Sequence, residues 1–250
     1  MRTFLFFIMS LILVSCSKDQ YDMNEFHKKY GDGTADVGAL ISELTEHQII
    51  FGHKSVGSNI LEGIRQWEQE TGVELNLKES RELSSEGDPA FVHFSVGDNK
   101  DTKSKIDDFV SVIENIPEDI ISVAFFKFCY VDIIESTDID SVFGYYKSKM
   151  HYLKDNYPNC NLVLLTVPLT GIQKGLKATA KRALNRPPAG VLPNIKRHEF
   201  NELLRNEFSG VLPIYDLAGV ESTRPDGATE LFKYKGSEYP CMPDFYKTDM

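Results

Sequence analysis

From residue 48 onward the chain alternates short apolar runs with amphipathic stretches. Gln48-Ile49-Ile50-Phe51 joins β-branched and aromatic residues with turn residues after them, which predicts a core strand. Ile60, Leu61, Ile64 and Trp67 then recur at helical spacing and predict a helix over about 57–70. Val73, Leu75 and Leu77 alternate with polar neighbours as a second strand, and Phe91-Val92-His93-Phe94 follows a long polar excursion. Further strands are expected over 120–126, 161–166 and 212–216, separated by helices that include 139–156, 196–208 and a face formed by Ile106, Phe109, Val110 and Ile113. These strands are apolar throughout rather than half polar, so both faces of their sheet need cover. The expected fold is therefore α/β: a three-layer α/β/α sandwich, flavodoxin-like, with a mainly parallel five-stranded sheet. The stretch 171–194, rich in Gly and Pro, reads as a long loop with some helix in it, of the kind that often borders a site.

The first residues follow a different pattern. Met1-Arg2-Thr3 and an apolar run from Phe4 to Val14 have the form of a secretory signal, too short to span a bilayer stably. The run ends Leu13-Val14-Ser15-Cys16, which resembles a bacterial lipobox and implies lipidation at Cys16, with acyl chains holding the protein to an envelope membrane. The alternative is an ordinary signal peptide that contains a cysteine. Residues 17–34 are polar and read as a tether, leaving 35–250 as one domain, which suits a chain of 250 residues.

Charge and cysteines narrow the chemistry. A net charge of −10 without clustered Lys and Arg argues against a nucleic-acid partner. With Cys16 assigned to lipid, Cys129, Cys160 and Cys241 are an odd number, so at least one thiol stays free. Cys129 follows its strand and Cys160 precedes the next, which in a parallel sheet sets them at opposite edges and excludes a bond between them. No cysteine or histidine spacing suggests a metal site, and no cofactor is expected.

Ligands of an open parallel sheet bind beyond the carboxyl ends of its strands, so the segments after each strand should converge on one rim. Ser55 stands there between strand and helix, flanked by Gly52 and Gly57, which permit a sharp turn. It reads either as a nucleophile or as a helix N-cap. His53 lies too near in sequence to be taken as its base, Gly97 could present a backbone N–H to the rim or simply make a turn, and Cys129 reads as a small buried filler.

With those residues in place, a family resemblance emerges. The segment IIFGHKSVGSNILEGI resembles the first block of the SGNH/GDSL hydrolases, and the likeness continues through FVHFSVGDNKD, VAFFKFCYVDI, LVLLTVPLT, IKRHEFNELLRNEF and PIYDLAGVEST, nearly all of 48–222. The literal Gly-Asp-Ser-Leu is absent. The resemblance implies ester hydrolysis through Ser55, with Ser55 N–H and Gly97 N–H as oxyanion donors and Asp249, or less well Asp244, as the acid. It also implies an asparagine donor where this sequence reads KFCY, and Asn99 is the substitute. The family's histidine would follow the acid, where the chain ends at Met250; this reads as a truncated, impaired member. The implied substrate is a small-molecule or glycan ester. The rival reading is a non-catalytic surface lipoprotein that binds a glycan or a protein through Tyr130, Tyr145, Tyr146 and Tyr239.

Overall fold

The structure, a computed structural model, describes residues 44–55, 57–83, 89–117, 120 and 122–244. Cys16, the tether and Asp249 lie outside them. Strands β1 (Gln48–His53), β2 (Leu77–Glu79), β3 (Phe91–Ser95), β4 (Ser122–Phe126) and β5 (Cys160–Leu162) form one sheet in the order β2-β3-β1-β4-β5. Every pairing in it is parallel. Beyond β5 only Val163 intervenes before β6 (Leu164–Leu165), which pairs in parallel with β7 (Ile214–Tyr215). Val163 N–H still donates to Ala124 O of β4 at 2.9 Å, so the β6–β7 pair extends the same sheet. Leaving aside the short edge strand β2, the strands run second, first, third, fourth, fifth in chain order. That is the flavodoxin-like arrangement, whose topological switch point lies between β1 and its two neighbours.

Among the described residues six helices lie between and after these strands: α1 (Gly57–Thr71), α2 (Thr102–Glu114), α3 (Ile139–Asn156), α4 (Gly175–Ala183), α5 (Val191–Phe208) and α6 (Leu217–Ser222). One face of the sheet packs Ile50, Phe94, Ala124 and Phe126 against Phe109 and Ile113 of α2, Phe143 and Tyr146 of α3, and Phe200 of α5. The other face packs Ile49, Phe51, Val123 and Phe125 against Leu61 and Ile64 of α1, with Leu217 and Val220 of α6 alongside. Alternate side chains of one strand thus enter different cores. This is why the strands read as unbroken apolar runs, and it makes the three layers expected from them.

Three local departures have visible causes. The second strand begins at Leu77 rather than Val73, because Leu75 N–H donates to Glu68 Oε1 at 2.7 Å and the bonding to β3 starts only where Phe91 N–H donates to Asn76 O at 3.0 Å. Helix α5 starts at Val191, so Pro193 falls in its first turn, where a missing N–H removes no helical bond. A final antiparallel hairpin, β8 (Leu231–Tyr234) and β9 (Ser237–Pro240), was not expected. Its turn, Lys235-Gly236, has φ of 49° and 88°, the two positive values that a type I′ hairpin turn requires.

Candidate active site

Strand β1 ends at His53 and α1 begins at Gly57, so the chain reverses from strand to helix within three residues. The turn closes through Gly57 N–H to Lys54 O at 3.2 Å and Ser58 N–H to Ser55 O at 2.9 Å. Ser55 is exposed at its apex with φ of 50°, one of four non-glycine residues in the left-handed region among those described. A Cβ in that conformation costs about 1–2 kcal/mol. Ser55→Gly is therefore expected to be more stable than Ser55→Ala by about 1 kcal/mol in urea unfolding, the gain reduced by glycine's freer unfolded chain. A larger stability for the alanine variant would mean that the turn is unstrained.

The serine hydroxyl does not cap the helix; its partner among the described residues is Asn99, whose Nδ2 donates to Ser55 Oγ at 3.3 Å. Asn99 is itself held from below. Lys105 Nζ donates to Asn99 Oδ1 at 2.9 Å and to Asp132 Oδ2 at 2.6 Å, and the side chains of Lys105 and Asp132 have no exposed surface. An ammonium can only donate, so Asn99 must turn its oxygen to Lys105 and its NH₂ to Ser55. Asp132 also accepts from Lys100 N–H at 2.8 Å and Cys129 N–H at 2.6 Å, which ties the loop after β3 to the loop after β4. Lys54 adds a third tie by donating to Gly97 O and to Asp98. The result is a rigid amide donor beside an exposed hydroxyl at the switch point of the sheet.

Other candidates take other places. Gly97 stands on the same rim, but its N–H donates to Asp108 Oδ2 at 2.8 Å and is not open to an oxyanion. A Cβ on it would lie 2.5 Å from Lys105 N and 2.6 Å from Lys105 Cα, so the glycine serves a close approach between loop and α2. Cys129 is buried, with Sγ donating to Lys54 O at 3.1 Å. Among the described residues Cys129 and Cys160 form no disulfide, and Cys160 sits opposite Ser122 at the amino end of β4, as the expected separation of Cys129 and Cys160 requires. His53 turns its ring to His93, Nε2 to Nδ1 at 3.2 Å, and stacks on Phe51. Burial, with the charges of His93 and Lys127, pulls the His53 pKa down to about 4. Among the described residues no histidine or carboxylate reaches Ser55 Oγ, and no group of three or more His, Cys, Asp or Glu could hold a metal ion. Of the four tyrosines, Tyr146 is sealed in the core, while Tyr130 lies against Arg197 and Tyr239 stacks on Phe232.

The sequence reading missed a set of buried charges near the ends of β4 and β6. Lys127 and Arg197 are almost fully covered. Glu221 of α6 accepts from Leu169 N–H at 2.7 Å, and burial raises its carboxyl to about 7, against smaller opposing effects of Lys127 and Arg197. A carboxyl with a raised folded pKa binds its proton more tightly in the native state. It adds stability that is full below its unfolded value near 4.5 and is lost as pH rises towards 7. Glu221→Gln keeps the acceptor for Leu169 and removes the titration. The difference between wild-type and variant unfolding free energies is expected to change by on the order of 3 kcal/mol between pH 4 and pH 8. Parallel profiles would show that Glu221 ionises normally.

No protein-family model and no curated protein sequence matches the chain. Solved structures with a similar course of the chain include a GDSL-like lipase from Bacteroides thetaiotaomicron, 11% identical, covering 87% of this chain and 89% of that one at a TM-score of 0.45. The OSK domain of Drosophila Oskar is likewise 11% identical, covering 78% of this chain and 80% of that one at 0.37. Neither likeness extends to chemistry; what the site can do rests on the exposed Ser55 hydroxyl, its left-handed backbone and the amide that Lys105 and Asp132 hold against it.

Proposed function

We propose that the protein is a serine-dependent ester hydrolase of the SGNH/GDSL type, exported and anchored by lipid at Cys16, with Ser55 as nucleophile and Asn99 as oxyanion donor. The observation that carries this reading is the Asn99 amide 3.3 Å from an exposed serine hydroxyl at a left-handed strand-to-helix turn. In the proposed reaction Ser55 Oγ attacks the ester carbonyl, the alcohol leaves, and water releases the acyl group. The developing oxyanion forms within reach of Asn99 Nδ2. The proton of Ser55 needs a base; none reaches Ser55 Oγ among the described residues, and Asp249, the expected acid, lies outside them. Acylated glycans are the substrate class that the family resemblance suggests.

A second reading, a non-catalytic surface lipoprotein that binds a glycan or a protein, is favoured by one observation: among the described residues Ser55 Oγ meets an amide and no base. A fluorophosphonate probe separates the two. The hydrolase reading expects one covalent adduct on the peptide containing Ser55 of the full-length protein, absent in Ser55→Ala. A folded protein that takes no adduct overturns that reading and leaves the binding one.

A further inference from the structure

Helix α4 is amphipathic the wrong way round for a helix of a soluble domain. Ala178 is its one fully buried residue, and the opposite side carries Leu176, 90% exposed, and Leu184 at its C-cap, 69% exposed. At 100° per residue, Ala180 falls between those two leucines and Ala183 lies about 20° to the other side of Leu176, and both are exposed. Lys177 and Lys181 run along one flank of the stripe and Arg182 along the other, with Arg186 just beyond the helix. Lys174 is held by Asp244 at 2.6 Å, whereas those four cations enter no ion pair among the described residues.

The charge around the helix departs from the rest of the molecule. The chain has 37 acidic residues against 27 Lys and Arg, yet from Asn156 to His198 there is no Asp or Glu. An acidic protein has thus kept one segment purely basic and placed exposed leucines at its centre. That pairing fits a surface that is apolar beneath and negative on top, which is the interfacial layer of an anionic bilayer. A nucleic acid would leave the leucines in water, and an acidic peptide would need a groove that α4 does not form.

We propose that α4 docks flat on an anionic lipid bilayer, with Leu176 and Leu184 entering the acyl boundary and Lys177, Lys181, Arg182 and Arg186 pairing with lipid phosphates. The docking surface stands apart from the Ser55 chemistry and does not depend on it. Because α4 follows the loop that leaves β6, docking brings the membrane to the carboxyl side of the sheet, the side on which Ser55 lies.

The test uses the full chain carrying Leu176→Trp in a Trp67→Phe background, mixed with vesicles of phosphatidylcholine alone or with phosphatidylglycerol. The expected result is a blue shift of Trp emission, with quenching by brominated acyl chains, on the anionic vesicles only. Adding Lys177→Glu and Lys181→Glu is expected to abolish both. An equal shift on phosphatidylcholine would overturn the role of charge and with it the proposal. So would a shift without vesicles that grows with protein concentration, which would assign the face to a second copy of the chain. Unchanged emission in a protein bound to anionic vesicles by other parts would overturn it as well.

Discussion

Asp132→Ala is expected to lower the free energy of unfolding by about 3–5 kcal/mol, because it leaves the Lys105 ammonium buried without its counter-ion. The side chains of Lys105 and Asp132 have no exposed surface, so water cannot replace the lost carboxylate without rearrangement. The backbone N–H groups of Lys100 and Cys129 lose their acceptor in the same step. Unpaired buried donors are costly in themselves, though the losses share one network and do not simply add. The double variant Lys105→Met, Asp132→Asn removes the buried charge from both partners and is expected to be more stable than Asp132→Ala. Urea unfolding of the two variants checks this. If the double variant is the less stable of the two, the ion pair contributes net stability beyond the cost of burying its charges, and the stated cause of the loss is wrong.

The same pair shows where sequence reading reaches its limit. The strands were legible because burial on both faces demands continuous apolar runs, and α3 appeared with its observed ends, Ile139 and Asn156. The strand-to-helix turn was legible too, since Gly52 and Gly57 bracket Ser55 at the end of an apolar run. Lys105 was not. It sits among Lys103, Ser104, Asp107 and Asp108, a composition that reads as a solvated helix face, and only its neighbour Ile106 marks the turn towards the core. Burial of a lysine is decided by a carboxylate 27 residues away, which no local pattern reports. Gly97 misled in the opposite direction. Its glycine is required by the backbone of α2 at 2.5 Å, so a steric need looked like a catalytic one. The hairpin at 231–240 had a signal, the Lys235-Gly236 turn between alternating residues, but its strands are short and half exposed and carry little apolar weight.

On the proposed reading, Ser55→Ala is expected to reduce ester hydrolysis to the uncatalysed background, and Asn99→Ala to lower kcat by about 10²–10³-fold with little change in KM. The split arises because the amide bonds an oxygen that is negative only in the transition state. Asn99→Asp is the sharper comparison. Its carboxylate matches the amide in shape and can still accept from Lys105, so the loop should keep its place, but the oxygen now facing Ser55 cannot donate and brings a negative charge to the developing oxyanion. Its kcat is expected to fall at least as far as that of Asn99→Ala. The stability of Asn99→Asp should stay near wild type, which separates loss of a donor from loss of the fold. An Asn99→Asp enzyme retaining kcat within about threefold of wild type would remove Asn99 from the oxyanion site, since a lost donor of this kind costs far more than that. The Lys105–Asp132 pair would then be a stability element alone.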